Sequence, residues 1–179
     1  MPILGIMASQ ISGHLWQPEG AYDSLATVTL SATASSVVFA GIPSGYKHLQ
    51  LRTNYAMSSG GILKFNLNGD TGSNYKSHNF AGDGATAYAG VASTSPTAGC
   101  LGYANSTTFG AVVADFLDYA NTSKNKVVRS LGGNDRNGSG DIELDSTLWI
   151  NTSAITSLTL AAQNGNLSAN SSFALYGVK

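Results

Sequence analysis

Apolar and polar residues alternate with a period of two along most of the chain. Successive side chains of a strand point to opposite faces, so this alternation predicts strands that bury one face. The segment from Lys47 to Tyr55 shows it most clearly, because leucines alternate there with histidine, glutamine and arginine. Over a dozen consecutive positions, no segment has its apolar residues at helical spacing. The period therefore predicts an all-β protein.

Turn-forming residues (Gly, Pro, Asn and Ser) separate the alternating segments. The segment 109–119 is apolar on both faces, which is typical of a central strand covered on both sides. In 141–149 we expect Ile142, Leu144 and Leu148 to point inward. The glycine-rich part from Gly69 to Ala104 predicts one short strand followed by loops. The predicted strands are Tyr22–Leu30, Ser36–Ala40, Lys47–Tyr55, Ile62–Leu67, Tyr75–Phe80, Phe109–Tyr119, Lys126–Leu131, Asp141–Trp149, Ala154–Ala162 and Ser172–Val178.

Ten short strands at regular intervals predict a two-sheet antiparallel sandwich, most simply a jelly roll. The chain has 179 residues, enough to bury the core of one domain. Residues 1–20 lie outside the strand pattern and are rich in apolar residues. We interpret them as an extended N-terminal docking arm, which binds a neighbour or its own sandwich. Residues 21–179 are then a single β-sandwich domain.

Charged residues make up 11% of the chain, against roughly 25% in an average soluble protein. The formal net charge is −1, and basic residues form no block, so neither nucleic acid nor a membrane surface is an expected partner. The apolar N-terminal run lacks the basic residues of a signal peptide, which predicts synthesis in a cytoplasm without secretion. A surface poor in charge and rich in Ser, Thr and Asn fits a protein covered by neighbouring subunits.

Metal and cofactor sites are not predicted. His14, His48 and His78 are far apart, and no metal-ligand spacing joins them. Cys100 is the single cysteine, and we expect it to be a small buried side chain. The segment Asn66–Gly72 has oxygen ligands at alternating positions but lacks the distal glutamate of a calcium loop, which favours an Asn-Gly hairpin.

The carboxylates give no catalytic pair. Asp115 and Asp118 are three residues apart, so a strand points them to opposite faces, and we interpret them as strand-end caps or partners of Arg129. Glycosidase chemistry needs two carboxyl groups that face each other across a sugar. The acids at 141, 143 and 145 do share one face, for which a solvated surface is favoured over a calcium site. We therefore expect a protein without enzymatic activity.

Aromatic residues in the arm, at strand ends and in loops are candidates for partner contacts, including contacts with sugars, and rim packing of the sandwich is an equally good interpretation. The candidate partner-binding residues are Ile3, Leu4, Ile6, Leu15, Trp16, Tyr88 and Tyr103.

Several blocks of the sequence resemble small virion-associated structural proteins of tailed bacteriophages. The resemblance spans both ends and most predicted strands, and it is looser between Gly82 and Gly110. The blocks are Pro2–Ser9, Ile42–Arg52, Phe116–Thr122, Leu148–Thr152 and Ser171–Lys179.

The resemblance implies a structural part of the exterior of a phage virion, made in the host cytoplasm. Such a protein is expected to bind itself, by analogy as a homotrimer, and other virion proteins. Two positions on the virion stay open. A capsid decoration (cement) protein would dock on the major capsid protein through its arm. A tail-fibre or receptor-binding tip would contact tail components and a host surface glycan through residues 85–104.

Overall fold

The computed structural model describes residues 20–91, 97–106, 108–136 and 138–179. Within these ranges the chain forms twelve strands and no helix, which confirms the all-β prediction. The strands are β1 (Tyr22–Thr29), β2 (Ser36–Ala40), β3 (His48–Tyr55), β4 (Gly61–Leu67), β5 (Tyr75–Gly82), β6 (Ala87–Gly90), β7 (Gly99–Ala104), β8 (Gly110–Leu117), β9 (Lys126–Asp135), β10 (Gly140–Trp149), β11 (Ser157–Ala162) and β12 (Ser172–Val178).

The strands form two antiparallel sheets. The large sheet has eight strands in the order β1-β12-β3-β8-β9-β10-β5-β6, and the small sheet has four in the order β2-β11-β4-β7. The first four strands of the large sheet and the four of the small sheet have the order of a jelly roll built from two Greek keys. The remaining strands β9, β10, β5 and β6, here called the extension, continue the large sheet beyond β8.

The core lies between the two sheets. Strand β3 buries Leu49 and Leu51 and exposes Arg52, as the alternation predicts. The ring of Phe65 on β4 packs edge-on against Tyr75 at 6.0 Å and Phe116 at 5.6 Å between centroids. Edge-to-face pairs of this kind add to the free energy gained by burying the rings. The large sheet is thereby fixed against the small one.

The predicted turn at Asn68 and Gly69 is present. Both residues have positive φ, 53° and 69°, and Asp70 donates its backbone N–H to Leu67 O at 2.9 Å. The turn joins β4 of the small sheet to β5 of the large sheet, so it is not the hairpin that the Asn-Gly pair favours. Packing between the sheets, which a local turn signal does not encode, decides where the next strand goes.

The glycine-rich middle of the chain contains more strand than the sequence predicts. Strands β6 and β7 lie where loops were expected, and β9 runs to Asp135, beyond the predicted end at Leu131. Five of the six residues of β7 are buried, so it shows no apolar–polar alternation. Its Gly99 is needed because a Cβ there would lie 2.2 Å from the ring of Phe65. Close packing, not a turn, explains this glycine.

Candidate assembly surface

An uninterrupted row of apolar side chains crosses the outer face of the large sheet. Val113 of β8 lies opposite Leu131 of β9, Leu131 opposite Leu144 of β10, and Leu144 opposite Phe80 of β5. These four side chains are 44%, 55%, 52% and 59% exposed in that order. Directly opposed residues of neighbouring strands lie about 5 Å apart, so the row is a continuous apolar strip.

A second row runs beside the first. Ala111, Gly133, Ile142 and Gly82 lie opposite one another on the same four strands. The side chain of Ile142 is 60% exposed, while the two glycines leave the surface low, so that a groove of about 710 Å³ opens there. The two rows together form the apolar band (Phe80, Ala111, Val113, Leu131, Ile142 and Leu144).

Charged residues flank the apolar band at its two ends. The basic end carries Lys76, His78 and Arg129, all exposed. Asp115 is at the same end, opposite Arg129, and accepts a hydrogen bond from Gln50 Nε2 at 2.8 Å.

The other end of the apolar band is acidic, with exposed Asp83 and Asp135. Asp83 accepts backbone N–H groups of Ala85 and Thr86 at 2.9 and 2.7 Å, and these bonds hold the pKa of its carboxyl below the ordinary range. Asp141 is neutralised by an ion pair with Arg136 at 2.5 Å. The outer face of the extension is therefore apolar in the middle and oppositely charged at its ends.

The band overturns two sequence predictions. Ile142 and Leu144 were expected to point inward, whereas both are exposed, and Leu148 is half-buried. The segment 109–119 was expected to be covered on both sides, but the outer face of β8 is open at Val113 and Leu117 within this chain. The pattern of β8 is thus that of a strand with two buried faces, although the described residues cover only one.

The inner face of β10 carries the acids that were expected on a solvated surface, and this prediction is also wrong. Asp145 is 3% exposed, and Glu143 Oε2 accepts the backbone N–H of Tyr103 on β7 at 2.7 Å. Burial raises the pKa of Asp145 to about 7, with a smaller contribution from the charge of Glu143. Burial also raises the pKa of Glu143. Strand β7 covers these carboxyls because it packs across β9 and β10.

Unpaired polar atoms lie beside Asp145. Its neighbour across the register is Ser130, also buried. Asp145 Oδ2, Ser130 Oγ and Asn134 Oδ1 have no hydrogen-bond partner among the described protein atoms. A buried carboxyl without a cation or donor is most stable in its neutral form. The inner face of the extension is thus a polar layer inside the sandwich.

The other candidate side chains are dispersed. His48 Nδ1 accepts the backbone N–H of Asp118 at 2.9 Å, and Asp118 forms an ion pair with Lys124, while His78 lies on the outer face of β5. Neither acid of the 115 and 118 pair bonds Arg129, although Asp115 faces it. Asp115 points outward and Glu143 inward, so they do not face each other across one cleft. Cys100 is buried, as expected.

Of the candidate partner-binding residues, Ile3, Leu4, Ile6, Leu15 and Trp16 lie outside the described residues, as does His14. Tyr88 is half-exposed on the edge strand β6, opposite Ala81. Tyr103 is partly buried on β7, and a Cβ added to Gly60 would lie 2.8 Å from its hydroxyl. Both tyrosines are on strands, not in the loops expected for them.

None of the apolar band was named as a binding residue from the sequence. One signal pointed to it, the two-sided apolar pattern of 109–119, which indicates a strand with neighbours on both faces. The acidic residues of β10 predicted a solvated face, because charged side chains are mostly exposed in folded proteins.

Comparison of the chain with protein-family models, curated proteins and solved structures finds no match. Among the described residues, His, Cys, Asp and Glu side chains form no group of three that is suited to hold a metal ion. The same part of the chain has no helix with the length and hydropathy to cross a membrane.

Proposed function

We propose that this protein is a non-enzymatic structural component of the exterior of a tailed-phage virion, most simply a capsid decoration (cement) protein. The observation that carries the proposal is the apolar band on the outer face of the extension. Soluble monomers rarely expose a continuous apolar patch of this kind, and such patches mark interaction surfaces. The virion as the setting comes from the sequence resemblance.

The position of the band in the fold supports a role in assembly. The jelly roll is complete without β9, β10, β5 and β6, and three of these four strands carry band residues. Their inner face is held by β7, so the outer face is a rigid platform. A rigid, preformed face loses little conformational entropy when a partner covers it.

The docking arm and the oligomeric state belong to the same proposal. Residues 1–20 grip the capsid lattice, and the protein binds itself and the major capsid protein. The homotrimer expected by analogy stays a prediction. Deletion of residues 1–16 is expected to abolish binding to particles and to leave the sandwich folded. A truncated protein that still decorates particles would refute the role of the arm.

The test of the proposed function is the abundance of the chain in purified phage particles, measured by quantitative mass spectrometry against the major capsid protein. A decoration protein is expected at hundreds of copies per particle. A few to a few dozen copies would place the protein on the tail instead. Its absence from washed particles would overturn the proposed function altogether.

A second candidate is a tail-fibre or receptor-binding tip that contacts a host surface glycan. The groove beside Ile142 favours it, because glycines leave backbone groups accessible and Asp83 and Asp135 offer acceptors for sugar hydroxyls. Binding to host envelope polysaccharide that is lost on Gly133→Val would support it. Tyr88 and Tyr103 were expected to contact the glycan, and Tyr88→Ala tests that part separately.

A further inference from the structure

We propose that the apolar band packs against the same band of a second copy of this chain, in a two-fold pair of large sheets placed face to face. The inference deepens the proposed assembly function and rests on it, and it puts a two-fold pair in place of the homotrimer expected by analogy. Two flat sheet faces pack about 10 Å apart when apolar side chains interdigitate. The exposed side chains of the row on Val113, Leu131, Leu144 and Phe80 provide such a face.

The sequence pattern supports a partner that covers the whole face. Three of the four outward residues of β8 (Ala111, Val113 and Leu117) are apolar, the fourth being Asp115, yet Val113 remains 44% exposed in the single chain. A second sheet would give β8 its missing cover. A patch that binds its own copy must be self-complementary, because residue i of one subunit meets residue j of the other and the reverse also holds.

The charges at the two ends of the band provide this self-complementarity. A two-fold axis that lies in the interface and runs across the strands reverses the strand direction of the second copy. The basic end of each subunit then faces the acidic end of the other. Lys76 lies near the start of β5 and Asp83 directly after its end, while Arg129 lies within β9 and Asp135 at its last position.

The register places the midpoints of both charge pairs close to one cross-strand row. The midpoint between Lys76 and Asp83 falls between Asn79 and Phe80, and the midpoint between Arg129 and Asp135 falls at Gly132, one position beyond Leu131. Phe80 and Leu131 are in the same cross-strand row, since each lies opposite Leu144. A two-fold axis along the apolar row therefore places Lys76 within one position of Asp83 of the second copy, and Arg129 within two positions of Asp135 of the second copy.

Asp115 does not remove this complementarity. It lies opposite Arg129 and lowers the positive charge of the basic end, where the two cations Lys76 and Arg129 still outnumber it. Lys76 faces the apolar Leu148 in the register and keeps its charge for the second copy.

The first experiment is sedimentation equilibrium of the full chain with one charge placed in the band. Leu131→Glu is expected to raise the dissociation constant of the pair by about 100-fold or more, the size of a central interface substitution. Val38→Glu is the matched control, because Val38 has the same 55% exposure but lies on β2 of the small sheet. The control is expected to associate like the wild type, and circular dichroism checks that both variants are folded.

The second experiment is a charge exchange. Arg129→Glu and Asp135→Lys are each expected to weaken association about tenfold at low salt by placing like charges opposite each other. The double variant is expected to recover association to within about threefold of the wild type, because the exchanged charges meet across the pair. The six residue steps from Arg129 to Asp135 span about 20 Å along β9, beyond the range of a screened interaction within one chain.

Loss of the pair in Leu131→Glu, with rescue in the charge-exchanged variant, would support the two-fold arrangement. A wild-type protein that stays monomeric at high concentration would overturn it, and would leave residues 1–19 or another virion protein as the occupant of the band. A trimer, or an oligomer insensitive to Leu131→Glu, would also overturn it. None of these results affects the abundance of the chain in particles, which tests the proposed function separately.

Discussion

Trp149 donates its indole N–H to Asp70 Oδ2 at 2.7 Å and so ties the end of β10 to the turn after β4. The indole is fully buried. Asp70 also accepts the Gly72 backbone N–H at 2.8 Å, and Asn74 Nδ2 bonds both of its oxygens. The bond from Trp149, with those from Asn74 and Gly72, holds the pKa of this carboxyl below its ordinary value of 3.8.

Replacement of Asp70 by alanine leaves a buried indole N–H without its acceptor. The expected loss is about 1–3 kcal/mol of unfolding free energy at pH 7, measured by urea denaturation. The depressed pKa means that Asp70 stabilises the fold above pH 4, and that this stabilisation is lost as the pH falls through the pKa of the folded state. The wild-type and variant curves should therefore converge below pH 4.

Asp23→Ala is the control for Asp70→Ala, because both partners of Asp23, Lys179 at 3.2 Å and the Tyr46 hydroxyl, belong to side chains that are not fully buried. Its expected cost is under about 1 kcal/mol. Equal losses of unfolding free energy in the two variants would show that the hydrogen bond to Trp149 stabilises the fold no more than the interactions of a partly exposed carboxyl.

Asp145 should reverse the usual dependence of stability on pH. Its pKa is raised to about 7 in the folded state, so between pH 4 and 7 the unfolded chain releases a proton that the folded chain retains. Stability then falls as the pH rises through this window, by about 4 kcal/mol for a shift of this size. Glu143, whose pKa burial also raises, lies on the same face of β10 and adds to this fall in stability.

The matching experiment compares the melting temperatures of the wild type and Asp145→Asn from pH 4 to 8. The variant is expected to be the more stable protein at pH 8 and to lose that advantage at pH 5, where Asp145 is already neutral in the fold. Asp23→Asn should follow the wild type throughout. Parallel profiles for the wild type and Asp145→Asn would contradict the raised pKa.

The alternation of Leu49 and Leu51 with polar neighbours was enough to predict the sandwich, because that pattern depends only on which face of β3 meets the core. The face of β10 was predicted wrongly for a physical reason. Its orientation is set by Trp149 and Thr147, which enter the core in phase with Asp145. Hydrophobicity alone assigns Leu144 to the core, whereas pairing with β9 places it on the outer surface.

The candidate surface could be predicted only in part, because it depends on register between strands from distant parts of the chain. Phe80 and Leu131 are separated by 50 positions, yet both lie opposite Leu144. A single sequence does not reveal that β9 and β10 are inserted beside β5. It does reveal the two-sided apolar pattern of 109–119, although the predicted cover of the outer face is absent within this chain, where Val113 and Leu117 are exposed.

Gly99 is expected to be the least replaceable glycine of β7. A Cβ at this position would lie 2.2 Å from the ring of Phe65, which is itself held between Tyr75 and Phe116. Gly99→Ala should therefore cost about 1–3 kcal/mol through overpacking, measured by urea denaturation. Gly45→Ala is the matched control, since a Cβ there meets no atom within 4 Å, and its effect should be small. Equal stability of the two variants would mean that the ring moves aside freely.

Arg52 is expected to hold the edge strand β1 to the sheet. Its guanidinium carbon lies 4.8 Å from the ring centroids of both Tyr22 and Tyr176, and Nε donates to Gln50 Oε1 at 2.8 Å. Each exposed cation–π contact contributes about 0.5–1 kcal/mol, so Arg52→Gln should speed hydrogen exchange of the β1 amides several-fold and leave β9 unchanged. Arg52→Lys keeps the charge over the rings but loses the fixed geometry of the guanidinium. Its β1 amides should therefore exchange faster than those of the wild type and more slowly than those of Arg52→Gln. If Lys and Gln at this position have identical exchange rates in β1, the charge over the two rings does not stabilise the edge.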